Sequence, residues 1–141
     1  MNKEFEQISL KPGFMKHNGG ILFKSISESE YEFKAKINEN HLNAAGITHG
    51  GFIAALVDAG AGTAAHRSAN QNPCVTISLE LKFIAAVKLG QELIGKTKIQ
   101  KKTKSMIFLT CELEVDNTIV ATASGVWKIL NKQFPGAGPG G

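Results

Sequence analysis

The residues that could do chemistry lie in one stretch, His41-Leu-Asn-Ala-Ala-Gly-Ile-Thr-His49-Gly50-Gly51-Phe-Ile-Ala-Ala-Leu-Val-Asp58. Gly50 and Gly51 stand where a loop runs into a helix. The first N–H groups of a helix have no partner inside it and carry partial positive charge. They can polarise a carbonyl or hold an oxyanion, and glycine lets a substrate come close to them. Asp58 is an acid in an otherwise apolar helix. A carboxylate in such a setting is costly unless it is partnered or functional. A structural reading stands beside each of these. Asp58 would then bond backbone or hydroxyl groups, His49 would only close the helix start, and Asn43 would be a turn residue.

These residues need elements to hold them. Apolar positions Ile53, Leu56, Val57, Gly60 and Ala64 keep helical spacing, which predicts one helix over Gly50–Ser68. Its other faces are mostly Ala and Gly, so it should be buried on several sides. Gly60 and Gly62 each cost about 1 kcal/mol against Ala inside a helix. They imply that a strand or a ligand approaches closely there. Before this helix, alternation predicts strands over residues 21–26 and 31–37, and residues 38–49 read as a loop. After it, strands follow over 75–83, 93–101, 107–115 and 119–129, with a hairpin turn at Asp116-Asn117. Residues 4–10 read as a short helix stopped by Pro12-Gly13. The expected domain spans 1–134, and the Gly/Pro-rich 135–141 reads as a disordered tail. Two strands, one apolar helix and four more strands make an α+β architecture.

Composition narrows the function classes. Hydrophobic residues at 43% and charged residues at 20% fit a globular domain and argue against disorder. No apolar run is long enough to span a membrane, and no apolar leader opens the sequence. The net charge is +4, yet Arg67 is the only arginine. That balance does not suit a base-reading nucleic-acid surface, and fits an anionic small molecule better. Cys74 and Cys111 show no CxxC pattern and read as buried free thiols, as in a cytoplasmic protein. No cysteine or histidine cluster has metal spacing. There is no GxSxG nucleophile motif. His17 and His41 have no evident partner and read as structural, while His66 falls near the helix C-terminus, where a cation is favoured.

The pattern Asn43-x-x-Gly46-x-x-His49-Gly50-Gly51, followed by Asp58 on the helix, resembles the hotdog-fold acyl-CoA thioesterases. Within the 4-hydroxybenzoyl-CoA thioesterase superfamily it is most similar to the phenylacetate-pathway branch. The similarity runs over residues 12–130 and includes Lys88-Leu89-Gly90. It implies a hotdog fold, one long central helix wrapped by a curved antiparallel sheet of about six strands, in agreement with the element order above. It implies hydrolysis of an acyl-CoA substrate, with coenzyme A present only as part of that substrate and no other cofactor. The Gly50 N–H would polarise the thioester carbonyl, and Asp58 would act as general base or nucleophile. Asn43 would orient the carbonyl or the water, and Thr76 would help hold the water. Strict alternation, however, puts Thr76 on the face of its strand away from the helix, so that a bend or the dimer edge would have to bring it to the site. His49 would fix the loop or, with Gly51, contact the substrate. Gly62 would border the acyl pocket. Arg67, Lys101, Lys102 and Lys104 are candidates for the coenzyme A phosphates, although a lysine run in a hairpin is ordinarily a solvated turn.

Gly50 and Asp58 are eight residues apart, about 12 Å along a helix. They cannot both reach one thioester carbon from the same helix. A shared site in a homodimer is therefore expected, with Gly50 and Asn43 from one subunit and Asp58 from the other. The resemblance adds a dimer of dimers. Two other functions compete. A hydroxyacyl-thioester dehydratase of this fold carries its catalytic His in a His-Phe-Pro setting, and His49-Gly50-Gly51 lacks that proline. A non-catalytic acyl-CoA sensor would not need both Asp58 and Asn43.

Overall fold

The computed structural model describes residues 4–131. Its elements are β1 (Glu6–Gln7), α1 (Phe14–His17), β2 (Leu22–Ser25), β3 (Glu30–Lys36), α2 (Gly50–Ser68), β4 (Cys74–Phe83), β5 (Glu92–Lys102), β6 (Met106–Val115) and β7 (Thr118–Ile129). A short 3-10 turn, Glu39–His41, interrupts the loop before α2. The strands form one antiparallel sheet in the order β1-β2-β3-β5-β6-β7-β4. The helix lies on one face of this sheet, as the α+β hotdog architecture requires. No helix of the described residues is long and apolar enough to cross a membrane. The tail expected at 135–141 lies outside the described residues.

Two expectations are corrected. The sheet has seven strands, because residues 4–10 do not form a helix. Glu6 and Gln7 pair instead with Phe23 and Leu22 at the sheet edge. A seven-residue helix is unstable on its own, whereas the β2 edge offers ready partners. The Gln7 side chain reinforces this pairing: its Oε1 accepts from the N–H groups of Ser9 and Ile21. The helical turn forms only beyond Gly13. The Asp116-Asn117 turn is as expected, with both residues at positive φ, 49° and 65°.

The core explains one of the helix glycines. The buried Phe33 ring on β3 fills the space at Gly60 of α2 and at Gly95 of β5, and a Cβ at either would collide with the ring. Gly60 is therefore small because a strand approaches. The opposite face of α2 is uncovered. Gly51 and Asp58 are exposed there, and Ala54, Ala55 and Gly62 are half-buried. Strand β4 is the longer of the two sheet edges, with β7 as its only strand neighbour.

Gly60→Ala should lower stability by about 1–3 kcal/mol, because the ring it displaces is pressed from the other side by Gly95. Urea unfolding checks this. A variant as stable as the parent, or more stable through its better helix propensity, would contradict the packing described.

Candidate active site

The loop before α2 presents one backbone donor. His49 is the N-cap, and its Nδ1 accepts from the Gly51 N–H at 2.8 Å. The N–H groups of Phe52 and Ile53 donate to the His49 carbonyl. The Gly50 N–H has no hydrogen bond among the described residues. Of the helix's first donors, it alone is left for a ligand. The histidine that stands out in the motif is thus a capping residue, as the loop-anchor reading holds.

Asn43 shapes the turn with one side-chain atom and leaves the other unengaged. Its Oδ1 accepts from the N–H groups of Ala45 and Ile47, which shapes the turn through Gly46 at φ 79°. Its side-chain NH₂ makes no hydrogen bond among the described residues. Asn43, Thr48, Gly50, Ile53, Phe83 and Val87 help line a pocket of about 340 Å³. Thr48 holds this pocket together, since both its N–H and its hydroxyl donate to the Val87 carbonyl, at 2.8 and 2.7 Å.

His41 anchors the same loop, a role the sequence did not reveal. Its buried ring stacks on Phe52, with centroids 3.6 Å apart. Its Nδ1 accepts from the Asn38 N–H, so its Nε2 carries the proton and donates to the Asn18 carbonyl at 2.6 Å. Its own carbonyl accepts from the His49 N–H. The partners lie 23, 3 and 11 residues away in sequence, and no local pattern marks them.

Asp58 sits two turns further along α2, exposed in the single chain. Its Oδ1 accepts from the Thr76 hydroxyl at 2.7 Å. The expectation that Thr76 faces away from the helix is therefore wrong. The pairing register shifts between Thr76, opposite Trp127, and Ser78, opposite Val126. Ile77 is the extra residue of a β-bulge, which breaks alternation and turns Thr76 toward α2. The same bulge leaves Ile77 53% exposed and Val75 37% exposed on the free edge.

The basic candidates separate by their engagements. Arg67 pairs with Glu6 at 2.8 Å and lies over the Phe23 ring. Lys102 donates to the Ser68 carbonyl at the end of α2. Lys101 and Lys104 are exposed, with no bonded partner among the described residues. The thiols are structural. Burial pushes Cys74 up to about 11, against the opposing pull of Lys102, and Cys111 up to about 12. Neither is a thiolate at neutral pH. Cys111 is buried as expected, whereas Cys74 is only half-buried.

His49→Ala should cost about 0.5–2 kcal/mol of stability in urea unfolding, the usual value of an N-cap. His49→Asn should recover most of it, because the amide oxygen can accept from the same N–H. An alanine variant of unchanged stability would refute the capping role.

The comparisons with known proteins bear on the family and the fold. The sequence pattern of the Thioesterase superfamily matches residues 45–122, which include Gly50, Asp58 and Thr76. A Pseudomonas aeruginosa protein carrying an esterase name is 35% identical over 112 residues, 79% of this chain and 84% of that one. Acyl-coenzyme A thioesterase 13 of mouse is 26% identical over 114 residues, 81% of each chain. Among solved structures, zebrafish thioesterase superfamily member 2 superposes with a TM-score of 0.78 at 22% identity, covering 86% of this chain and 90% of its own. With its central helix against one antiparallel sheet and the family pattern matching more than half of its length, the chain belongs to the Thioesterase superfamily and is a hotdog-fold thioester hydrolase.

Proposed function

We propose that the chain hydrolyses an acyl-CoA thioester to the free acid and coenzyme A, at a site shared between two subunits. The observation that carries this reading is the placement of the two reactive groups. The free Gly50 N–H and the Thr76-bonded Asp58 lie on one helix, about 12 Å apart along its axis. Asp58 does not line the pocket at Gly50. A second helix must bring its own Asp58 to that pocket.

The fold offers a way to do so. β4 is a ten-residue edge strand with an unpaired outer side and apolar Val75, Ile77 and Phe83 exposed. Such an edge invites pairing with another strand. Two copies of β4 joined antiparallel across a two-fold axis form one continuous sheet. Both α2 helices then lie on the same face, side by side and antiparallel. The N-terminus of each is set against the middle of the other, where Asp58 is.

At this site the Gly50 N–H polarises the thioester carbonyl, and the free NH₂ of Asn43 helps orient it. Asp58 of the partner subunit, held by its own Thr76, takes a proton from water as the water's oxygen attacks, or attacks the carbonyl itself. On either route the C–S bond breaks, and the coenzyme A thiolate leaves and is protonated; on the second route the acyl group is left as a mixed anhydride on Asp58, which a water molecule then hydrolyses to release the free acid and restore the carboxylate. Both routes need the same three groups. The mouse relative is named for acyl-CoA thioesters, and the unengaged Lys101 and Lys104 are available to the phosphates of coenzyme A.

Asp58→Asn should lower kcat by about 10²-fold or more on every acyl-CoA the protein hydrolyses, with the fold intact by circular dichroism. Turnover at the parent rate would remove Asp58 from the chemistry.

A further inference from the structure

Trp127 is the only tryptophan of the chain and lies on β7 directly opposite Thr76. Its side chain is 1% exposed. The benzo part of the indole lies over Gly125, where a Cβ would collide with Cζ3 and Cη2. That contact fixes the ring and directs its pyrrole edge toward α2. There it meets Gly62, where a Cβ would stand 3.3 Å from Nε1 and 3.9 Å from Cε2. The indole N–H makes no hydrogen bond among the described residues.

A buried indole N–H usually finds an acceptor. No described residue accepts from this one, which is not among the fully enclosed polar atoms left without a partner, and the residue that would cover it is a glycine. Gly62 is also poor for the helix that holds it, and its contact with Trp127 is looser than the one Gly60 makes with Phe33. Gly62 is half-buried and lies one turn beyond Asp58 on the uncovered face of α2. The space left by its missing side chain therefore opens on the same uncovered face of α2 as Asp58.

We propose that the indole N–H of Trp127 recognises the acyl group, by donating to an oxygen acceptor carried several bonds from the thioester carbon. This inference rests on the acyl-CoA hydrolysis proposed above and specifies its substrate class. One helical turn from Asp58 to Gly62 is about 6 Å. An extended chain advances about 1.3 Å per bond, so the acceptor falls about four or five bonds from the reacting carbon. Acyl groups with a carbonyl oxygen at the fourth or fifth carbon meet that requirement, and simple alkyl chains leave the N–H unpaired. Gly62 keeps the passage open and Trp127 reads what enters it.

The test compares kcat/KM for matched pairs: pentanoyl-CoA against 4-oxopentanoyl-CoA, and hexanoyl-CoA against 5-oxohexanoyl-CoA. The parent protein should favour the oxo member of at least one pair by about threefold to tenfold, the range of one hydrogen bond. Trp127→Phe removes the donor and keeps the ring. Gly62→Ala covers the donor with a methyl group and improves the helix, so it tests the same contact in a variant that folds readily. Each should bring the ratio to about one. Equal rates for both members of each pair in the parent would overturn the inference while leaving thioester hydrolysis standing. So would an oxo preference that survives both substitutions. Failure to hydrolyse any of the four thioesters would overturn the proposed function, and this inference with it.

Discussion

The fixed rise of an α-helix is the constraint on which the rest depends. Gly50 is the first residue of α2 and Asp58 is two turns further on, and no side-chain motion brings them to one atom. The surrounding structure makes both groups usable where they are. His49 takes the Gly51 N–H and so leaves the Gly50 N–H as the free donor. His41 ties the loop to Phe52, Asn38 and Asn18, which fixes where that donor points. Thr76 holds the Asp58 carboxylate on the uncovered side. The helix is small and apolar because it is covered by the sheet on one face and left open, in the single chain, on the other.

The bulge at Ile77 decides both the partner of Asp58 and the character of the β4 edge. Without it, alternation along β4 would turn Thr76 away from α2 and leave Asp58 without its partner. With it, Thr76 faces the helix while Val75 and Ile77 are displaced onto the free edge. One irregularity in an edge strand thus serves the carboxylate and also leaves an apolar strand edge that invites a second copy.

Much of this was legible in the sequence. The bounds of α2 follow from helical spacing, and the six strands expected before and after it follow from short apolar runs and period-two alternation, because these patterns are local. Gly50, Asn43 and Asp58 could be read as a set because their types are unusual for their positions. What escaped depends on neighbours distant in the chain. The pairing of Glu6 and Gln7 is decided by the β2 edge, and no periodicity can mark a two-residue strand. Thr76 was placed on the wrong face because a bulge has no signature in an alternating run. His41 looked idle because its partners come from α1, the loop turn and α2. Arg67 and Lys102 looked free because Glu6 and the Ser68 carbonyl are brought to them only by the fold.

The most direct test of the shared site is complementation between two inactive chains. Gly50 is the first helical residue and His49 before it has φ −63° and ψ 130°, so proline suits the backbone at position 50, where it removes the N–H and sets its ring against Phe83. Co-expressed with differently tagged Asp58→Asn chains, Gly50→Pro chains form mixed dimers that can be purified by both tags. Each mixed dimer should hold one intact site, with Gly50 from one chain and Asp58 from the other. Acyl-CoA hydrolysis should then return to about half the parent rate per dimer, while each variant alone stays inactive. Mixed dimers as inactive as either variant alone would contradict the shared site and place both groups in one subunit's chemistry.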